Sequence, residues 1–400
     1  MGGCLDLGLA KPTEYEATVC KLVREIKNLR FVVMMEDRQP DFFLKYCKYA
    51  PETFVRLNRH GPANYYPTQS NLKSLVREFH ENGIDVFYGF WIHENRWVFK
   101  RHPEILLTEN TGKVWHADDY SADFNPLLKL EEDSDYQIKK GQKFAEYICS
   151  QYNNLSNDFG FNGLFLGDGG MGFRRFGDDS IGVKNFDYSL NSVKQFVDSY
   201  HYKFHDNCIL YSSQIINKIS QDICLNHWEA WVEWNCSQWT LFYNELSDYL
   251  HANDDQFAAY SCMNYGPKQA KLHGIDYQSI GDAGLDYLVF QTYDYAWSKH
   301  FGLKNKDMFN NLNELLYTKA DISHSKTKVL FTSETADSIE KWDCPLSHTL
   351  KEAFLYSAGR MPEEDSRSAI IDGAFIVWIN DTPYQEFRQI ETVLESAILE

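Results

Sequence analysis

Several signatures are missing from this 400-residue chain, and each absence removes a class of function. No apolar run reaches the roughly 18 residues of a membrane-spanning helix, and no apolar leader opens the chain. No CxxC occurs among the nine cysteines, and their number is odd. Reduced thiols in a cytoplasmic protein are therefore expected rather than a disulfide framework. None of the 13 histidines forms an HxH pair, which argues against a metal-dependent hydrolase barrel, and no metal or cofactor is expected. No GxGxxG follows the first clear strand, so a dinucleotide-binding sheet loses ground. No clear strand carries an interior lysine, as a Schiff-base aldolase would need. Basic residues are few, 39 against 57 acidic ones. The net charge of -18 disfavours nucleic acid and anionic membrane as partners. A neutral substrate is not disfavoured, and nothing in the composition bears on oligomeric state. No Gly/Ser linker, low-complexity tract or long-period repeat divides the chain.

What is abundant is aromatic: 10 Trp, 25 Tyr and 27 Phe, 16% of the residues. Such rings build a core or line a groove, where Trp and Tyr faces stack on the C–H faces of sugars. Short apolar runs alternate with helical stretches. FVVMME (31–36), DVFYGFW (85–91), GLFLG (163–167), CILYSS (208–213), FAAYSC (257–262), YLVFQTY (287–293), KVLFTS (328–333) and AFIVWI (374–379) read as strands, and TFVRLN (53–58) as a possible short ninth. Between them lie helical patterns at 136–152, 187–204, 228–251, 305–319 and 347–358. Leu72, Leu75, Val76 and Phe79 show the i, i+3, i+4, i+7 spacing of another. Strand and helix alternating about eight times predicts a parallel sheet. Near-continuous apolar strands predict that both of its faces are covered. The expectation is an α/β fold, a single (β/α)8 TIM barrel over 1–400. It has an N-terminal helical segment over about 1–30 and a long loop insertion at about 92–135.

Barrels place function at the C-terminal ends of their strands. Glu36 follows the first run, with His93 and Glu94 after DVFYGFW, which ends in Trp91. Asp168 follows GLFLG, with Arg174 and Arg175 a few residues on. Tyr293 and Asp294 follow the YLVFQT run, with Trp297 near by, and Glu334 follows KVLFTS. Acids converging on one rim repel one another, which a scaffold alone does not require. Trp91, His93, Glu36, Glu94, Arg174, Tyr293, Asp294 and Trp297 are the candidates for substrate binding.

GFNGLFLGDGG (160–170) resembles the "GFDG-apolar-apolar-apolar-D" strand of barrel glycoside hydrolases, including the α-amylase, α-galactosidase and α-glucosidase groups. KRHPEILLTENTGKVW (100–115) resembles a substrate-facing loop of sugar hydrolases that begins "HPEW". Asn162 stands where those groups carry the second Asp of GFDG. The resemblance implies that Asp168 is the nucleophile at the end of a fourth strand and that the substrate is an oligo- or polysaccharide. Glycosidic cleavage uses two carboxyl groups, one protonated and one ionised. Flanking glycines suit Asp168 to the ionised role, since their N–H groups can bond the carboxylate and leave room for a sugar. The proton donor could be Glu229 in NHWEAWVEW, Glu334 in FTSETAD, or Asp294 in QTYDYAW. If 53–58 is a strand, GLFLG is the fourth. If it is not, CILYSS is the fourth, and Glu229 and Glu334 become the pair, with Asp168 a binding residue. A non-catalytic carbohydrate-binding barrel is the alternative function, and it would lack a matched acid pair.

Overall fold

The computed structural model describes residues 1–5, 15–35, 68–93, 100–109, 124–167, 171–172, 187–200, 213–261, 265–292, 305–333, 350–351, 371–376 and 384–399. Eight parallel strands close into a barrel in chain order. They are β1 (Gly2–Leu5), β2 (Phe31–Met35), β3 (Asp85–Trp91), β4 (Gly163–Gly167), β5 (Gln256–Tyr260), β6 (Tyr287–Thr292), β7 (Lys328–Ser333) and β8 (Gly373–Ile376). The ring closes where Gly2 of β1 pairs with Phe375 of β8.

Helices cover the outside. The described ones are α1 (Tyr15–Glu25), α2 (Gln69–Glu81), α3 (Phe144–Phe159), α4 (Leu190–Tyr200), α5 (Ser213–Asn226), α6 (Trp228–His251), α7 (Pro267–Leu272), α8 (Tyr277–Asp282), α9 (Asn305–Ile322) and α10 (Tyr384–Leu399). The start of α2 follows from its sequence. Thr68 Oγ1 accepts from the Asn71 N–H at 3.2 Å, and Asn71 Oδ1 accepts from the Thr68 N–H at 3.1 Å. The two side chains thus satisfy two helix-end donors reciprocally. Its Leu72, Leu75, Val76 and Phe79 are buried, as their spacing predicts.

Alternation along the strands sorts the core into two parts. One cluster draws only on strands: Phe31, Val33, Phe87, Phe165, Ala258, Tyr260, Val289, Leu330 and Phe375. These residues fill the barrel interior, while alternate residues such as Val86, Tyr88 and Phe90 join the helices in the larger cluster. Large and small residues face each other inside. Phe87 is the register partner of Gly163, and Phe165 that of Gly89. A Cβ on Gly163 would lie 3.0 Å from the Phe87 ring, so the aromatic occupies the space that the glycine leaves. Phe165 in turn stacks on Phe375, with centroids 5.4 Å apart and planes at 4°.

Three expectations change. Residues 2–5 are not helical but form β1, between β2 and β8. Its GGCL carries too little apolar signal to announce a strand. Gly2 is small because the Phe31 ring fills the position of its missing side chain. The run 53–58 lies outside the described residues, and the barrel closes through eight strands that do not include it. Residues 208–212 lie outside them too, but β4 pairs directly with β5, so CILYSS supplies no strand between them, and Ser213 opens α5. GLFLG is therefore the fourth strand and KVLFTS the seventh, an arrangement that neither strand count had anticipated.

Candidate active site

The described part of the barrel mouth has a polar floor. Val289 and Leu330 belong to the interior cluster. Two residues further along β6 and β7, on the same face, come Gln291 and Thr332, which are register partners. Both are buried. The Gln291 backbone N–H donates to Ser261 Oγ at 3.1 Å, and the Ser261 N–H donates to the Val289 carbonyl at 2.9 Å. Gln291 Oε1 is buried and has no hydrogen-bond partner among the described residues. An unpartnered buried amide oxygen costs about 1–3 kcal/mol, which a hydroxyl donor from a ligand would recover. Gln291 and Thr332 were missed in the sequence because each ends an apolar run. The period of two, continued from Val289 and Leu330, would have found them.

The loop after β4 is held close to its start. Met171 is buried, and Gly172 has φ +74°. A Cβ on Gly172 would stand 2.5 Å from the His273 carbonyl oxygen and 2.8 Å from Ile275 Cγ1. At least one glycine of the GDGGMG stretch is therefore there for left-handed backbone and close approach. Three residues, Asp168 among them, bridge the buried ends Gly167 and Met171.

Asp168, Glu334, Glu36, Glu94, Arg174, Tyr293, Asp294 and Trp297 lie outside the described residues. In the chain Glu36, Asp168, Tyr293 and Glu334 directly follow Met35, Gly167, Thr292 and Ser333, the last residues of β2, β4, β6 and β7. Trp91 closes β3 as the register partner of Gly167.

His93 and Glu229 are described, and neither occupies an open mouth. His93 is fully buried, with its ring 5.3 Å from that of Phe124 and 5.9 Å from that of Trp239. Glu229 is exposed in the first turn of α6 and follows a helix, α5, rather than a strand. A carboxylate is favoured there by the helix dipole. Trp231, two residues on, is fully buried away from it, stacked on Tyr188 at 5.3 Å and on Trp234 at 4.9 Å.

The insertion after β3 is tied to the helical layer through Asp187, which is fully buried. Its carboxylate accepts from the Thr108 N–H at 2.9 Å, from Asn125 Nδ2 at 3.0 Å, and from the Ser189 N–H at 3.1 Å. Four described carboxyls have their pKa raised by burial: Glu314 and Asp321 on α9, and two at the foot of the barrel. Burial pushes up both Asp85 and Asp255, which stand at the N-terminal ends of β3 and β5, opposite the mouth. Among the described residues no three His, Cys, Asp or Glu side chains converge as metal ligands, and no helix is long and apolar enough to cross a membrane.

No family model matches the chain, and no curated protein matches it. Solved structures do. A polyextremophilic β-galactosidase from the Antarctic haloarchaeon Halorubrum lacusprofundi aligns with TM-score 0.56 at 10% identity, over 99% of this chain and 58% of that one. A β-galactosidase from the psychrophilic Marinomonas ef1 aligns with TM-score 0.53 at 10% identity, over 100% of this chain and 60% of that one. The chain has the barrel fold of these glycosidases. It spans about three fifths of their length. Within that fold the strand-end positions after β4 and β7 are those of Asp168 and Glu334.

Proposed function

We propose that the protein is a glycoside hydrolase that cleaves glycosidic bonds in an oligo- or polysaccharide, with Asp168 and Glu334 as its carboxyl pair. The observation that carries this reading is the strand order: one acid follows the fourth strand and the other the seventh, at the same end of one closed barrel. In an eight-stranded barrel, residues three strands apart have Cα atoms roughly 15 Å apart across the mouth. Carboxyls reaching inward from two such positions in a barrel of this size would come within the order of separation that glycosidases use. Asp168 is the ionised partner, attacking the anomeric carbon or activating water, in a loop whose glycines leave room for the sugar. Glu334 is the acid that protonates the departing oxygen. Gln291 and Thr332 beneath them supply hydrogen bonds to sugar hydroxyls, and Trp91, Tyr293 and Trp297 supply ring faces. No cofactor enters this chemistry. We also propose a cytoplasmic location, which the odd number of cysteines without a CxxC supports.

A panel of aryl glycosides and unactivated oligosaccharides tests the assignment. Asp168→Asn should lower turnover by several orders of magnitude on every substrate. Glu334→Gln should spare aryl glycosides with good leaving groups and abolish cleavage of oligosaccharides, because only a poor leaving group needs the proton. Glu229→Gln should leave turnover unchanged. Full activity in Asp168→Asn would remove the nucleophile assignment. A wild type that binds sugars but hydrolyses none would make the barrel a carbohydrate-binding module.

A further inference from the structure

Away from the mouth, the helical layer contains a cleft of about 730 Å³ between α3, α6 and the loop over 137–143. None of its lining residues comes from a strand. Among the described residues, two of its buried polar atoms have no hydrogen-bond partner, Gln151 Oε1 and Glu245 Oε2. Gln151 is 2% exposed. Both atoms are acceptors, so each is open to an N–H or O–H from a ligand. Each unmet acceptor costs about 1–3 kcal/mol unless a ligand or water supplies an N–H or O–H.

The remaining lining selects the ligand class. Gln137, Gln142, Gln151, Asn153 and Asn154 bring five carboxamides, which both donate and accept, as sugar hydroxyls do. Lys139 and Lys143 are outnumbered by Glu146, Glu245 and Asp248, and Lys143 is ion-paired with Glu245. No surplus of positive charge remains for a phosphate or a polyanion. Tyr249 adds a ring of the amphipathic kind that sugars stack on. At the lip, Gln137 has φ +59°, an uncommon backbone for a residue with a side chain. It is held by a tight turn in which the Ile138 N–H donates to the Asp133 carbonyl at 2.9 Å. Strain of this sort persists where the surroundings over-determine it, and it gathers at ligand clamps.

We propose that this outer cleft is a second, non-catalytic binding site for a neutral oligosaccharide. Its ligand class follows from the cleft's own chemistry. It goes beyond the proposed hydrolysis, since holding a sugar chain here needs no reaction.

Hydrogen exchange on the full chain tests it, with maltoheptaose, cellohexaose and chitohexaose as probes and a synthetic peptide and heparin as controls. Asp168→Asn serves as background, so that a substrate survives the measurement. Expected is slowed exchange over 137–154 and 245–249 with at least one neutral oligosaccharide. Gln151→Met should weaken that binding about tenfold, the loss of one hydrogen bond. It should leave turnover of a small aryl glycoside unchanged, and it should not destabilise the fold, because it removes an unmet acceptor. No slowing with any of the three sugars, or slowing with peptide or heparin alone, overturns the proposal. So does unchanged affinity in Gln151→Met. Slowed exchange here in a protein that hydrolyses nothing would uphold the cleft and remove the glycosidase reading. Hydrolysis without slowed exchange would remove the cleft alone.

Discussion

Replacing Gly172 with alanine asks whether the loop after β4 is anchored. Gly172 and Gly83 have nearly the same backbone, φ +74° and +71°. Alanine at either position carries the left-handed penalty, about 1 kcal/mol. Their surroundings differ. A Cβ on Gly83 meets nothing within 4 Å, whereas one on Gly172 meets the His273 carbonyl oxygen at 2.5 Å and Ile275 Cγ1 at 2.8 Å. The first of these neighbours is backbone and cannot rotate aside. Overpacking of that kind costs about 1–3 kcal/mol. Gly83→Ala should therefore cost about 1 kcal/mol and Gly172→Ala about 2–4 kcal/mol. Urea unfolding followed by tryptophan fluorescence measures both, provided the slope stays constant between variants. Because Asp168 lies four residues before Gly172, Gly172→Ala should also lower turnover, while Gly83→Ala should not. Equal destabilisation by the two alanines would mean that the loop moves off residues 273–275 at no cost. The glycine would then be a turn residue and not an anchor.

Phe165→Ala, at the centre of the barrel, removes a ring stacked on Phe375 and edge-on to Tyr260 at 5.2 Å; a loss of about 3–5 kcal/mol in urea unfolding is expected. Asp187→Ala leaves the Thr108 N–H without its acceptor and Asn125 Nδ2 with Ser192 Oγ alone, and should cost about 3 kcal/mol, with faster hydrogen exchange over 105–109 and 124–128 as the local signature. Burial raises Asp255 from 3.8 to about 6, and the Asp254 charge adds to this, against a hydrogen bond from Tyr152 that lowers it. The folded state then holds the proton more tightly than the unfolded chain, so this group's contribution to stability falls as pH rises from about 3.8 to about 6 and is level above. Asp255 is half-buried, and with solvent screening the change is about 1 kcal/mol. The difference between wild type and Asp255→Asn, measured by urea unfolding across that range, should show the fall, and a flat difference would refute it.

The fold was legible because parallel strands buried on both faces must be apolar throughout, as in GLFLG and KVLFTS, while the helices between them keep a 3.6-residue period. Helix α6 matches the predicted 228–251. What escaped the pattern was β1, whose Gly2 and Gly3 carry no apolar side chain to report burial. The space there is filled from β2 by Phe31. The run read at 208–213 takes no place in the barrel between β4 and β5, and its last residue opens α5, since a short apolar run does not by itself specify a strand. The strand ends were legible as the ends of apolar runs, while the acids just beyond them lie outside the described residues. The distinction between Glu229 and a mouth residue was not legible. A Glu flanked by tryptophans looks the same in sequence whether the rings surround it or turn to the opposite face of their helix.

Among the described residues the longest register in the barrel wall joins β6 to β7. Strands β6 and β7 run together in register from Tyr287↔Lys328 to Thr292↔Ser333. By contrast, among the described residues β8 meets β7 through Leu330↔Gly373 and Phe331↔Ala374, and β1 through Gly2↔Phe375 and Gly3↔Ile376. Gln291 and Thr332 sit within that longest register, so the polar floor is carried by a stretch of wall whose pairing runs unbroken from Tyr287 to Thr292. A sugar pressed onto this floor would meet a rigid sill rather than a yielding one.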